Sequence, residues 1–204
     1  MSASSAIVHV VDDDPSFLTA VARLLRAGGF DVKTFGSAAS FLQTPPADSP
    51  GCVIADLQMP GLGGLEFQEA LAKTGNPLPV VFLTGHGDIP SSVHAMRHGA
   101  EDFLTKPVKR QDLFDAVRRA ITRATKEREE RVHRDELRAR FDTLTPRERE
   151  VLRHVLSGQL NKQIADDLGT SERTVKAHRA NIMAKLRVRS VAELTRLAQE
   201  AGFR

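Results

Sequence analysis

Short apolar runs that end abruptly in polar or charged residues recur along the first half of this chain, and they constrain its fold more than any other feature. Ile7-Val8-His9-Val10-Val11 ends at Asp12-Asp13-Asp14, Val53-Ile54-Ala55 at Asp56, Val80-Val81-Phe82-Leu83 at Thr84, and Asp102-Phe103-Leu104-Thr105 at Lys106-Pro107. Such runs, bounded by turn residues such as Pro60, Gly61, Gly63 and Gly64, read as buried strands. Residues 31–35 alternate as a further short strand. Between the strands lie segments of helical spacing. One starts at Pro15 with Asp14 as its cap and Phe17, Val21, Leu24 and Leu25 on its apolar face, and Gly28-Gly29 ends it. Others cover residues 37–43 with Ser37 as cap, 65–73 before the break at Asn76-Pro77, and 89–98, and a fifth begins at Gln111; residues 44–50, with three prolines, read as loop.

Strand and helix thus alternate five times within about 120 residues, which predicts an α/β, flavodoxin-like, doubly wound five-stranded parallel sheet. Open sheets of this kind place their chemistry at the carboxyl edge of the strands. Here that edge receives Asp12, Asp13, Asp56, Thr84 and Lys106. Crowded carboxylates repel one another, and a divalent cation relieves the repulsion; hard oxygen ligands suit Mg2+ or Mn2+. A carboxylate can also attack a phosphorus atom, while a lysine and a hydroxyl can hold phosphoryl oxygens as charge gathers on them.

The segments VDDDP, ADLQMPGLGG, LTGHGD and DFLTKP, in that order and at these spacings, resemble the receiver domain of two-component response regulators. The resemblance implies that Asp56 is the phosphate acceptor, Asp13 a direct metal ligand, and Asp12 a ligand through water or the orienter of the ion. It implies that Gln58 lends its backbone carbonyl to the metal, that Thr84 bonds the phosphoryl group, and that Lys106 pairs first with Asp56 and then with the phosphate. Phe103 matches the family's switch aromatic, the Lys106-Pro107 bond is expected to be cis, and His86 occupies the position that tunes loss of the phosphate. The partner so implied is a sensor histidine kinase.

The chain has 204 residues, 41% hydrophobic and 27% charged, enough apolar material for real cores. No run reaches the roughly 18 to 20 apolar residues of a membrane span, and Met-Ser-Ala-Ser-Ser lacks the basic and apolar regions of a signal peptide. The expectation is a cytoplasmic protein without a membrane partner. The single Cys52, which opens a strand, agrees with this and reads as a small buried hydrophobe.

The net charge of +3 hides an asymmetry: residues 1–110 hold 8 Lys/Arg against 11 Asp/Glu, whereas residues 141–204 hold 12 against 8. A basic carboxyl end hints at a nucleic-acid contact there. Between the halves, from Leu113 to about Arg140, helix formers run without proline or glycine, so one long helix is expected to leave the first domain. Its apolar stripe of Leu113, Val117, Ile121 and Ala124 fades before Val132 and Leu137, so a solvated charged helix is favoured over a coiled coil. The expected organisation is a first domain over 1–120, a helical linker over 121–140, and a small all-α helix-turn-helix domain over 141–204.

In the last segment Thr145, Pro146 and Glu148 spell a capping box. Asn161 is expected to cap a short helix that Gly169 closes, and Ser171 to cap a helix over 172–186. Ala165, Gly169 and Val175 fit a helix-turn-helix, which needs a small residue, a turn residue and a buried β-branched residue there. With Val175, Ile182 and Leu186 inward, Arg173, Lys176, Ala177, Arg179 and Ala180 face outward, a basic surface suited to a DNA major groove.

The stretch LTPREREVL…G…NKQIADDLGTSERTVKAHRANIMAKL resembles the LuxR-type domain of FixJ/NarL response regulators. The resemblance implies base-edge contacts at Lys176, Ala177 and the outward positions after them, and backbone contacts at Asn161, Lys162 and Thr174. Ala180 departs from relatives that carry lysine there, and Arg179 is the candidate to replace that charge. The last helix, through Val191 and Leu194, is the expected dimer contact of this domain. The reading is a transcription factor in which phosphorylated receivers pair and bring two DNA-binding domains to a two-fold or direct-repeat site on double-stranded DNA, with RNA polymerase left open as a further partner.

Two readings compete. Haloacid-dehalogenase-like phosphatases carry a second Asp two residues after the nucleophile, but here that position is Gln58, and the chain is not expected to be a conventional turnover enzyme. A receiver working without phosphorylation would not need the intact motif set. Among the seven histidines, His94 and His98 are four apart on one helix, yet no third ligand stands at a suitable spacing, so no zinc site is expected.

Overall fold

The computed structural model describes residues 6–43, 50–74, 77–85 and 89–203. Residues 44–49 of the expected loop, Asn76 of the expected break, and His86 lie outside the described residues. The chain divides into two compact units, Met1–Arg128 and Glu129–Arg204.

In the first unit the elements alternate as expected: β1 (Ile7–Val11), α1 (Pro15–Ala27), β2 (Asp31–Phe35), α2 (Ala38–Gln43), β3 (Gly51–Ala55), α3 (Gly64–Ala72), β4 (Val80–Thr84), α4 (Ile89–Arg97), β5 (Asp102–Thr105) and the start of α5 (Arg110–Asp142), which runs on into the second unit. The strands form one sheet in the order β2-β1-β3-β4-β5, and every pairing is parallel. Of the three interior strands, β3 and β4 are buried at every residue and β1 at all but Ile7, as parallel strands covered on both faces must be.

Alternate residues feed two apolar layers. Val53, Ala55 and Phe82 pack with Phe41, Phe67, Leu71 and Ala95, beneath α2, α3 and α4. Cys52, Ile54, Val81 and Leu83 pack with Val21, Leu25, Leu113, Phe114 and Val117, beneath α1 and α5. Cys52 is fully buried, and burial followed by the charge of Glu101 pushes its thiol up to about 12, so it packs as a hydrophobe. Gly64 lets α3 start hard against the end of β3: a Cβ there would lie 2.5 Å from the Asp56 carbonyl oxygen.

The second unit consists of the last part of α5 with α6 (Pro146–Leu156), α7 (Asn161–Asp167), α8 (Glu172–Leu186) and α9 (Val191–Glu200). Leu137 and Phe141 of α5 join Leu152, Ile164, Val175, Ile182, Leu186 and Leu194 in its core. The Thr145 capping box on α6 is present in full. Gly169 takes φ +60°, a conformation L side chains rarely adopt, between α7 and α8.

One expectation is corrected here. Asn161 is the first residue of α7 rather than its cap, because the Gln163 side chain reaches back to accept a hydrogen bond from the Leu160 backbone N–H at 2.8 Å. That bond satisfies the Leu160 N–H, whereas a capping Asn161 would accept from a backbone N–H two or three residues further on; its side chain instead accepts from Arg179. Among the described residues no helix is long and apolar enough to cross a membrane.

Candidate functional site

The register of β1 against β3 aligns Val11 with Ala55, so the next residues, Asp12 and Asp56, leave the sheet side by side. The Asp56 backbone N–H donates to the Val11 carbonyl at 3.0 Å, and the Lys106 N–H donates to the Thr84 carbonyl at 2.7 Å. Four strand ends therefore converge at one rim.

There the Lys106 ammonium lies 2.6 Å from Asp12 Oδ2 and 3.4 Å from Asp56 Oδ2, and 3.7 Å above the centre of the Phe17 ring. The expected pairing with Asp56 is present, and a nearer one is made to Asp12. The Asp12 side chain is 2% exposed and that of Asp56 13%, and attraction strengthens as water is excluded. The other oxygen of each carboxylate is anchored: Asp12 Oδ1 accepts from the Asp14 N–H at 2.9 Å, and Asp56 Oδ1 from the Leu57 N–H at 2.7 Å. The Lys106-Pro107 bond is cis.

Asp12, Asp13 and Asp56 each offer an oxygen, all within 4.8 Å of one another. Three hard anionic donors at that spacing fit a divalent cation such as Mg2+ better than a soft one. Gln58 is exposed two residues beyond Asp56. Thr84 is buried at the end of β4, and Phe103 on β5 is half-buried with its ring 6.2 Å from that of Phe82. Every expected rim residue thus lies on a strand of this sheet or at its carboxyl end.

In the second unit, Arg173, Thr174, Lys176, Ala177 and Ala180 are all exposed on α8, and Lys162 is exposed on α7. Val175, Ile182 and Leu186 are buried on the opposite face. Arg179 is half-buried and donates to Asn161 Oδ1 at 3.1 Å, so these two side chains engage each other and tie α7 to α8. The expected dimer contacts separate. Val191 is 40% exposed, whereas Leu194 is 2% exposed and packs inside its own domain, because it continues the apolar stripe of α9 that includes Ala198.

Comparisons with known proteins agree with this geometry in both units. The family model described as response regulator receiver domain matches residues 8–118, and that of bacterial regulatory proteins, luxR family, matches residues 142–198. Nodulation protein W of Bradyrhizobium diazoefficiens is 44% identical over 202 residues, covering 99% of this chain and 89% of the relative. The transcriptional regulatory protein FixJ of the same organism is 39% identical over 196 residues, 96% of each chain. Among solved structures, the response regulator StyR superposes with a TM-score of 0.84 at 44% identity, over 96% of this chain and 99% of that one. Full-length FixJ from B. japonicum superposes with a TM-score of 0.59 at 38% identity, over 98% and 99%.

Proposed function

The chain belongs to the response regulators, a receiver domain followed by a LuxR-type DNA-binding domain that together regulate transcription, and from that premise we propose that phosphorylation of Asp56 is its control step. A histidine kinase presents a phosphohistidine. An Asp56 carboxylate oxygen attacks the phosphorus in line, the new O–P bond forms as the N–P bond breaks, and the kinase imidazole leaves with the nitrogen electron pair.

The observation that carries this reading is the Lys106 ammonium held between Asp12 and Asp56 at 2.6 and 3.4 Å. That position lets it follow the growing negative charge on the phosphoryl oxygens without leaving the rim. A Mg2+ or Mn2+ ion held by Asp12, Asp13, Asp56 and the Gln58 carbonyl would neutralise charge at the same place. Thr84 bonds the phosphoryl group, and Phe103 turns into the space vacated beside β4.

The outer surface of α4 and β5 then pairs two receivers. Met96, His98 and Gly99 supply exposed contact, and Asp102, now bonded to Arg119 at 2.5 Å, exchanges partners. Pairing brings two copies of α8 to a two-fold or direct-repeat site on double-stranded DNA in the cytoplasm, with Arg173, Thr174, Lys176, Ala177 and Ala180 toward the groove and Lys162 toward the backbone. Val191 is the exposed residue through which the DNA-binding domains meet.

Mass spectrometry of the intact chain after treatment with a small-molecule phosphodonor and Mg2+ tests the first step. One phosphoryl group is expected on the wild type and none on Asp56→Asn. Equal labelling of both would overturn the assignment.

A further inference from the structure

We propose that Glu69, His94 and His98 form a binding site for a divalent transition-metal ion of the zinc class, separate from the carboxylate rim. Glu69 comes from α3 and His94 from α4, and His98 is the first residue beyond the end of α4. Each offers one ligand atom, and these atoms all lie within 4.8 Å of one another. The imidazole rings stand stacked, their centroids 4.1 Å apart and their planes 18° from parallel.

The protonation pattern suits a ligand. His98 Nδ1 is 2.8 Å from the His94 carbonyl oxygen, and a carbonyl oxygen can only accept, so Nδ1 carries the hydrogen. Nε2 is then the atom with the free lone pair. A backbone carbonyl fixing one ring nitrogen so that the other can bind is the usual support of a metal-bound histidine.

The helix junction is also held in place. Gln68, the neighbour of Glu69, is buried and donates from Nε2 to the Ala95 carbonyl at 3.2 Å and to the His98 carbonyl at 3.1 Å. A residue of α3 thereby positions the end of α4 and the turn that follows it, which together carry the histidines. Two imidazoles and a carboxylate, with a fourth position left to water, is a recognised zinc ligand set. Tetrahedral ligands at about 2.0–2.1 Å from zinc stand roughly 3.3 Å apart, a contraction within reach of side-chain rotation at this surface. Nitrogen donors also separate this site chemically from the all-oxygen rim at Asp12, Asp13 and Asp56, which favours Mg2+.

The test is calorimetric titration of Zn2+ into the full-length, tag-free chain, with Mg2+ in large excess to fill the carboxylate rim. One zinc per chain is expected, with His94→Gln and His98→Gln each weakening binding by about tenfold or more, Glu69→Gln weakening it less, and Asp56→Asn leaving it unchanged. Circular dichroism of each variant serves as the check that its fold is kept. X-ray absorption at the zinc edge should report imidazole ligands. No zinc binding, unchanged affinity in the double histidine variant, or an all-oxygen ligand sphere would each overturn the proposal.

Discussion

The ammonium of Lys106 sits 2.6 Å from a carboxylate oxygen of Asp12, a residue 94 positions earlier in the chain. The contact joins the ends of β1 and β5, although β3 and β4 lie between those strands in the sheet. It neutralises a carboxylate that is almost wholly buried.

Replacing Lys106 by methionine keeps the aliphatic stem and removes that charge. Asp12 is then left buried beside Asp56, and the receiver unit should lose about 2 kcal/mol, read as a lower urea midpoint. Asp12→Asn combined with Lys106→Met should recover most of the loss, since the two residues act as a pair. An unchanged midpoint in the single variant would mean that the rim does not depend on this contact.

His9 makes the first unit sensitive to acid. It is 3% exposed in the middle of β1, its Nδ1 has no hydrogen-bond partner, and it packs against the rings of Phe35 and Phe41. Burial first, and the charge of Lys33 second, lower its pKa from 6.5 to about 4. The unfolded chain takes up this proton near pH 6.5 and the folded chain only near pH 4. The contribution to stability is therefore complete above pH 6.5 and is lost progressively as the pH falls toward 4. Between pH 7 and pH 5 this group should cost the wild type about 2 kcal/mol, and His9→Phe should remove most of that slope. The same slope in both proteins would show that other groups govern the acid response.

Glu148 plays a different part in the second unit. It is buried, accepts from Lys185 at 2.7 Å and completes the capping box by accepting from the Thr145 N–H at 2.8 Å. Burial alone would raise its pKa, but the Lys185 ammonium and the Thr145 donors outweigh that and hold it below 4.5. A depressed carboxylate stabilises the fold above its unfolded value, and the benefit disappears as the pH falls through the folded value. Lys185→Ala should destabilise the domain by about 1–2 kcal/mol at pH 7, an effect moderated by the partial exposure of Lys185. The deficit should shrink on acidification. A deficit independent of pH would contradict the pairing.

The separation of Leu194 from Val191 can be read in variants. Leu194→Ala opens a cavity in the core and should cost about 2–4 kcal/mol. Val191→Ala, at an exposed position, should stay within about 0.5 kcal/mol of the wild type while weakening association of the DNA-binding domains. Equal stability losses measured by thermal melting would place both side chains in one environment.

The carboxylate rim was legible because each of its residues follows a short apolar run, and parallel strands send their carboxyl ends to one edge. Val11 beside Ala55 is enough to place Asp12 beside Asp56. The buried stripe of α8 followed in the same way from period and small-residue placement. What escaped had causes that spacing does not carry. Asn161 looked like a cap until Gln163 proved to reach back to Leu160. Leu137 and Phe141 lie too sparsely in a charged helix to signal burial, yet they complete the second core. Leu194 reads from the sequence as an interface residue because an amphipathic last helix does not reveal whether its stripe meets its own domain or a partner. Glu69 could not be joined to His94 and His98 because that meeting depends on how α3 lies against α4. Gln68, a buried amide one residue away, was the available clue.

The central claim is that charge on Asp56 governs what the α8 surface does. The direct measurement is the affinity of the full-length chain for operator DNA selected from genomic fragments, by fluorescence anisotropy, with and without a phosphodonor and Mg2+, in the wild type and in Asp56→Asn. Phosphorylation of the wild type is expected to tighten binding at least about tenfold, the scale of an allosteric coupling of about 1–3 kcal/mol, with no change in Asp56→Asn. Equal tightening in the variant, or none in the wild type, would contradict the claim.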